Sequence, residues 1–218
     1  MRLLRARSGS SRHPTVVELI GRPGSGKSHV AAAVERESPS IRVLDPFEEV
    51  PGRGIVARLW FAMRYPLQSL LLHLAVLSRR GVAMRHVVSV FGLQKRYSLV
   101  WSTARGQSRA LVDEGFVHGY FVVTWGTRST GLSRWCLSRL VRRLQNLGVT
   151  WALLRVDAAV CETRLEGRAP PSRFAGKGTA LDEVYEQLIR ELRRAVRQDV
   201  HELDERSDAV EAVQALLR

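Results

Sequence analysis

A short glycine-rich stretch, GRPGSGKSH, begins at Gly21 and contains the residue types best suited to chemistry in this chain. A glycine, four residues and then Gly-Lys-Ser is the spacing of a loop whose backbone N–H groups surround phosphate oxygens. We expect Lys27 to reach the β- and γ-phosphates of a nucleotide and the Ser28 hydroxyl to bind Mg²⁺. The residues predicted to bind the nucleotide are Gly21, Arg22, Pro23, Gly24, Ser25, Gly26, Lys27, Ser28 and His29.

Acidic residues follow two apolar stretches that read as buried strands. Asp113 and Glu114 come after ALV, and Asp45 comes after IRVL. In a parallel sheet the carboxyl ends of the strands meet at the edge where ligands collect. We expect Asp113 to organise the metal ion together with Ser28, and Glu114 either to accept a proton or to shape the pocket for a second substrate. Asp45, Asp113 and Glu114 are all candidates for the general base.

Three arginines lie close together in the sequence: Arg164 and Arg168 precede the irregular segment APPSRFAGKG, and Arg173 is within it. Arginines carried by a closing lid would stabilise the charge that spreads over a phosphoryl group during its transfer. The simpler alternative is that they form salt bridges with Glu162 and Glu166. We predict a lid over residues 167–180 and count the three arginines among the catalytic candidates with Lys27 and the acidic residues.

The elements that must position these side chains alternate between strand and helix. Strands are predicted at 15–20, 41–45, 109–115, 149–157 and 199–204. Helices are predicted at 27–37, 54–64, 66–79 and 82–104, within 116–146 around a loop WGTRSTG, from 158 onward, at 181–198 and at the C-terminal end. This alternation predicts a three-layer α/β/α P-loop fold with a parallel sheet. We expect one domain over 15–218, preceded by a mobile basic arm at 1–14.

The composition of the chain indicates the class of its ligand and the cellular compartment in which it works. The 218 residues carry a net charge of +13, and arginine dominates because only Lys27, Lys95 and Lys177 are lysines. This charge favours a polyanionic small ligand, with nucleic acid as a second option. Cys136 and Cys161 have neither CxxC spacing nor nearby histidine ligands, which indicates a reduced cytoplasmic protein. The apolar stretch 66–78 is too short to span a membrane.

The loop, the strand that ends VDEG, the segment LLRVDAAVCETRLEGR, the lid-like APPSRFAGKG and the helix LDEVYEQLIREL together resemble the small P-loop kinases of the thymidylate kinase-like branch. The resemblance implies ATP, Mg²⁺ and lid arginines, and it implies that the helical region 54–106 lies on the acceptor side. Asp113-Glu114-Gly115 stands where thymidylate kinases have an Asp-Arg pair, so the resemblance does not identify the acceptor substrate.

These features together predict a kinase that transfers the γ-phosphoryl group of ATP to a small-molecule hydroxyl or phosphate acceptor. The acceptor would be a nucleotide or another anionic metabolite, and a homodimer is one option for the assembly. The alternative is a P-loop NTPase or nucleotide switch that acts on a protein or nucleic-acid partner, which the basic charge favours.

Overall fold

The chain is described here by a computed structural model that covers residues 16–45, 53–77, 84–106, 109–125, 130–167, 174, 176–196, 200–204 and 209–218. The predicted arm at 1–14 lies outside these residues. Half of the predicted lid at 167–180, including Arg168 and Arg173, also lies outside them.

Within these described residues, five parallel strands form a single sheet in the order β2-β3-β1-β4-β5. The strands are β1 Val16–Gly21, β2 Arg42–Leu44, β3 Ala110–Val112, β4 Val149–Arg155 and β5 His201–Asp204. All six residues of β1 are buried, as its apolar and β-branched sequence predicts. The predicted fold class is confirmed: β1 lies in the middle of the sheet, so the glycine-rich loop leaves the sheet at its centre.

Nine helices are described, and they cover both faces of the sheet. They are α1 Lys27–Glu37, α2 Arg53–Arg64, α3 Pro66–Leu77, α4 Met84–Arg105, α5 Phe116–Trp125, α6 Gly131–Gln145, α7 Ala158–Glu166, α8 Gly178–Ala195 and α9 Ala209–Leu217. One apolar core joins α4, α5, α6 and α8 to one face of the sheet, and a smaller core joins α1 and α9 to the other. The three-layer arrangement follows from these two cores.

Helix boundaries differ from the predicted ones where local hydrogen bonds decide them. The predicted interruption of the helical stretch 116–146 at WGTRSTG is confirmed, and α6 begins at a capping box in which Thr130 and Ser133 exchange side-chain and backbone hydrogen bonds. Helix α8 starts at Gly178, three residues before the predicted start. It ends at Ala195 because the next residue, Val196, has an extended backbone.

The helical region α2–α4 is joined to the main core by aromatic side chains. Phe61, Tyr65 and Tyr97 are buried and meet with ring centroids 5.3 Å apart. Tyr97 also packs against Phe116 at the start of α5, again at 5.3 Å. Packing of this kind fixes α4 beside the carboxyl end of β3. Among the described helices, we find none with the length and hydrophobicity needed to cross a membrane.

Candidate active site

The glycine-rich loop between β1 and α1 has the backbone shape that its sequence predicts. Gly24 and Gly26 have φ angles of 86° and 89°, in the left-handed region that favours glycine. A Cβ atom on Gly24 would lie 2.4 Å from the carbonyl oxygen of Cys161, because α7 packs directly against the loop. Gly26 caps α1 without a side chain, and the first turn of α1 contains no acidic residue. The N-terminus of α1 is therefore well suited to an anion.

Lys27 is held across this loop. Its side-chain Nζ donates hydrogen bonds to the carbonyl oxygens of Gly21 at 2.9 Å and Arg22 at 3.1 Å, and the residue is buried. A buried ammonium requires such partners, and an anion in the loop would add a stronger one. These two hydrogen bonds hold the Lys27 side chain against the backbone of the loop.

Ser28 and Asp113 meet although they are 85 residues apart. The Ser28 hydroxyl donates to Asp113 Oδ2 at 2.6 Å, which joins the first turn of α1 to the end of β3. The other carboxylate oxygen, Oδ1, is buried and has no hydrogen-bond partner among the described residues. A hydroxyl and an unsatisfied carboxylate oxygen at one point are a hard-oxygen donor set, which fits Mg²⁺. The predicted pairing of these two residues at one site is thus present in the fold.

Glu114 lies next to Asp113 in a strained conformation and is surrounded by charged groups. It has a φ angle of 55°, which is uncommon for a residue with a side chain and concentrates at functional sites. Its Oε2 lies 3.6 Å from the guanidinium of Arg96 on α4 and 3.6 Å from His118 Nε2 on α5.

Burial raises the pKa of Glu114 above its ordinary value. The charges of Arg96 and Lys27 oppose the rise, while the neighbouring carboxylates of Asp113 and Asp45 add to it. These interactions link all three predicted acidic residues with Lys27. The carboxyl ends of β2 and β3 therefore bring the acidic candidates together beside the loop.

Glu18 is a buried carboxyl group in the middle of β1, beneath this acidic group. Its Oε1 accepts a hydrogen bond from the backbone N–H of Val117 at 2.6 Å, and its Oε2 accepts from Trp151 Nε1 at 3.2 Å. Burial raises its pKa to about 7, although these donors and Arg96 oppose the rise. Glu18 caps the N-terminus of α5 from the neighbouring strand and so fixes the turn that carries Glu114.

A cavity of about 490 Å³ opens on the other side of the loop. The loop residues Gly24–Gly26 line it together with His29, Leu154 and Arg164. The volume is in the range of sites that hold small ligands. Arg164, on α7, lies over the loop, since its guanidinium is 3.7 Å from the position that a Cβ on Gly26 would take. The structure thus brings Arg164 and His29, which are both candidate site residues from the sequence, to the loop.

Arg22 points toward α8. Its guanidinium forms an ion pair with Asp182, and its side chain is 12% exposed. This contact ties the loop to the helix that follows the predicted lid.

The central strand, the glycine-rich loop and the acidic end of β3 define the class of the protein as a P-loop α/β domain. The AAA domain family matches the chain over residues 16–194, and the chain belongs to this family. Among solved structures, a deoxyadenosine kinase from M. mycoides with bound dATP has a TM-score of 0.51 at 12% identity, over 91% of this chain and 97% of that chain.

A shikimate kinase from Acinetobacter baumannii in complex with shikimate has a TM-score of 0.47 at 11% identity, over 94% of this chain and 92% of that one. A search of the curated proteins finds no match. The comparisons establish the P-loop fold and the family. The thymidylate kinase-like branch stays a prediction.

Three residues at the site were missed by sequence reasoning: Glu18, Arg96 and His118. Glu18 had a signal, since it is a lone acidic residue inside the buried stretch TVVELI. Arg96 had none, because ten basic residues lie between Val50 and Val112 and nothing in the sequence distinguishes the one that turns inward.

Proposed function

We propose that the protein is an ATP-dependent small-molecule kinase, which transfers the γ-phosphoryl group of ATP to a hydroxyl or phosphate acceptor. The observation that carries the proposal is the 2.6 Å hydrogen bond between Ser28 and Asp113, since it joins the phosphate loop to an acidic strand end. Glu114, with a basic group on either side, lies immediately beyond that bond. A P-loop protein that only hydrolyses ATP has less need of a further polar group such as Glu114 beside the phosphate loop.

The nucleotide half of the site is assigned to the loop and the cavity beside it. We propose that the phosphates of ATP lie against the loop backbone and Lys27, and that the base and ribose lie in the 490 Å³ cavity near His29 and Arg164. Ser28 and Asp113 would hold Mg²⁺. When bound, the ion would neutralise phosphate charge and help to orient the phosphoryl group.

The acceptor half is assigned to Glu114, Arg96 and His118. A carboxylate whose pKa is raised is a better proton acceptor, and Glu114 has this property because it is buried. We therefore place the proton of the acceptor hydroxyl on Glu114, with Asp45 as the second candidate. Arg96 and His118 would bind anionic or hydroxyl groups of the acceptor. The helical region 54–106 would then lie on the acceptor side, since it contributes Arg96.

Charge that develops during transfer would be stabilised by arginines after β4. Arg164 is already beside the loop. We propose that Arg168 and Arg173 join it from the predicted lid at 167–180, in keeping with the thymidylate kinase-like order of segments.

We also propose a cytoplasmic location. Cys136 and Cys161 are free and buried, and burial raises the pKa of the Cys136 thiol to about 11. Thiols of this kind serve as core residues in a reducing compartment.

The test is an acceptor screen with matched variants. The purified chain is incubated with ATP, Mg²⁺ and a panel of nucleosides, nucleotides, sugars and hydroxy acids, and phosphorylated products are identified by mass spectrometry. Lys27→Ala and Asp113→Asn should each lower product formation at least about a hundredfold. Asp204→Asn, at the end of β5, is the matched control and should leave product formation unchanged. Loss of ATP without any phosphorylated acceptor would refute the proposed kinase activity.

The second candidate is a P-loop NTPase or nucleotide switch with a protein or nucleic-acid partner. The observation that favours it is the net charge of +13. Filter binding of RNA and DNA at two salt concentrations distinguishes the two candidate functions, because contacts to phosphates weaken steeply as the salt concentration increases. Tight, salt-dependent binding together with nucleic-acid-stimulated ATP hydrolysis would favour the second candidate.

A further inference from the structure

Exposed apolar side chains concentrate on the helical region α2–α4. Of the twelve large hydrophobic residues exposed in the described part of the chain, nine lie on these three helices. On α2 they are Ile55, Val56, Leu59 and Met63, between 58% and 77% exposed. Their spacing of one, four and eight residues places them along one side of the helix. Patches of this kind mark sites of interaction.

Helix α3 is apolar on its exposed side as well as on its buried side, where Leu72 and Val76 pack in the core. Its exposed large side chains are Leu67, Leu70, Leu74 and Leu77, each between 46% and 58% exposed. Gln68 and Ser69 are buried as well, and the Ser69 hydroxyl accepts a hydrogen bond from Gln94 of α4 at 3.0 Å. We call the exposed apolar side chains of α2 and α3 the leucine face.

Contact between these leucines and water is unfavourable, because apolar surface is more stable when it is removed from water. A surface that would cover the leucines removes this cost. The leucine face therefore indicates a partner with an apolar layer.

The stretch of sequence that contains the leucine face carries charge of one sign. From Val50 to Val112 the sequence contains ten Lys and Arg residues and no Asp or Glu. Of these, Arg64 on α2 and Arg105 on α4 are exposed. This stretch therefore supplies most of the net charge of +13. The partner should carry negative charge next to its apolar layer.

Aromatic and basic side chains border the same helices. A mainly apolar cleft of about 360 Å³ between α2 and α4 is lined by Trp60, Trp101 and Lys95 among others. The two tryptophan rings lie 4.4 Å apart, and the Arg105 guanidinium lies 5.0 Å from the Trp101 ring. Tryptophan and basic side chains with long aliphatic stems are typical of the level of lipid headgroups.

We propose that the leucine face docks on the surface of an anionic lipid bilayer, with its leucines in the acyl boundary and its arginines among the headgroups. A second copy of the chain fits less well, because two acid-free surfaces would repel each other. Nucleic acid would match the charge but would leave the leucines in water. This docking is independent of the reaction that the catalytic site performs.

The test is co-sedimentation of the full chain with phosphatidylcholine vesicles that contain or lack phosphatidylglycerol, at low and high salt. We expect binding to the anionic vesicles, weaker binding at high salt and little binding to the neutral ones. Leu70→Gln/Leu74→Gln should lower the affinity about tenfold or more, since both leucines leave water on docking. The matched control, Leu132→Gln at an exposed position of α6, should bind as the wild type does.

Arg64→Gln provides a second variant that leaves the apolar side chains in place. It should weaken binding to anionic vesicles about fivefold. Arg36→Gln on α1, an exposed arginine outside the region, should change it little. Circular dichroism and MgATP binding confirm that each variant is folded.

Several outcomes would overturn the proposal. One is the absence of binding to either type of vesicle, and another is equal binding to both. A third is a dimer in light scattering that Leu70→Gln/Leu74→Gln dissociates, which would assign the face to a second copy. A fourth is tight RNA binding that Arg64→Gln weakens, without vesicle binding.

Discussion

The pKa of Glu18 leads to a prediction about stability that can be worked out from the fold. The side chain is fully buried in the central strand and accepts hydrogen bonds from Val117 and Trp151. Burial disfavours the charged form, and the pKa rises from 4.5 to about 7. Replacement by glutamine keeps the size of the side chain and removes the ionisation.

The direction of the pKa shift decides whether Glu18 stabilises the folded protein at low or at high pH. Because the folded-state pKa lies above the unfolded value, the folded protein holds the proton more tightly. Its stabilising effect is complete below pH 4.5 and is lost as the pH rises through about 7. The rise in pKa corresponds to about 3 kcal/mol. When the pH rises from about 5 to about 8, the ionisation of Glu18 should therefore lower the free energy of unfolding by about 2 to 3 kcal/mol.

Urea unfolding of the wild type and of Glu18→Gln at the two pH values measures this effect. The difference in stability between the two proteins should shift by about 2 to 3 kcal/mol in favour of the variant at the higher pH. Glu35→Gln, on an exposed part of α1, is the matched control and should show no such shift. A difference that is the same at both pH values would refute the reasoning. It would mean that the N–H donors around Glu18 hold it as a carboxylate.

The glycines provide three further predictions. Gly24→Ala should abolish measurable MgATP binding in calorimetry, because its φ angle of 86° and a Cβ 2.4 Å from the Cys161 carbonyl oxygen both disfavour alanine; wild-type affinity would contradict this. Gly115→Ala places a Cβ 2.7 Å from Glu18 Cδ and should lower the free energy of unfolding by about 1 to 3 kcal/mol; unchanged urea unfolding would mean that Glu18 moves freely. Gly92 lies on α4, and a Cβ atom added there would have no neighbour within 4 Å. Gly92→Ala should therefore raise the free energy of unfolding in urea by up to about 1 kcal/mol, and a decrease would contradict this.

The sheet and the loop could be predicted from the sequence because local signals specify them. The buried stretch TVVELI, followed at once by a glycine-rich loop and a lysine, predicts a strand, a turn and a helix without reference to the rest of the chain. The Ser28–Asp113 contact could also be predicted, since the carboxyl ends of neighbouring parallel strands share one edge of the sheet.

The acceptor side could not be predicted in the same way. Arg96 reaches Glu114 because Tyr97 and the aromatic side chains around it fix α4 against the start of α5. Such packing joins residues that are far apart in sequence and leaves no local pattern. The exposed side of α3 could not be predicted for a similar reason: leucines occur all around the helix, and only the fold shows that Leu72 is buried while Leu70 and Leu74 are exposed.

The most direct test of the central claim is calorimetric titration of MgATP, and of ATP without Mg²⁺, into the wild type and into Ser28→Ala and Asp113→Asn. We expect the wild type to bind MgATP more tightly than ATP alone, and both variants to lose this preference while still binding ATP. Absence of binding to the wild type, or the same preference for MgATP in all three proteins, would contradict it.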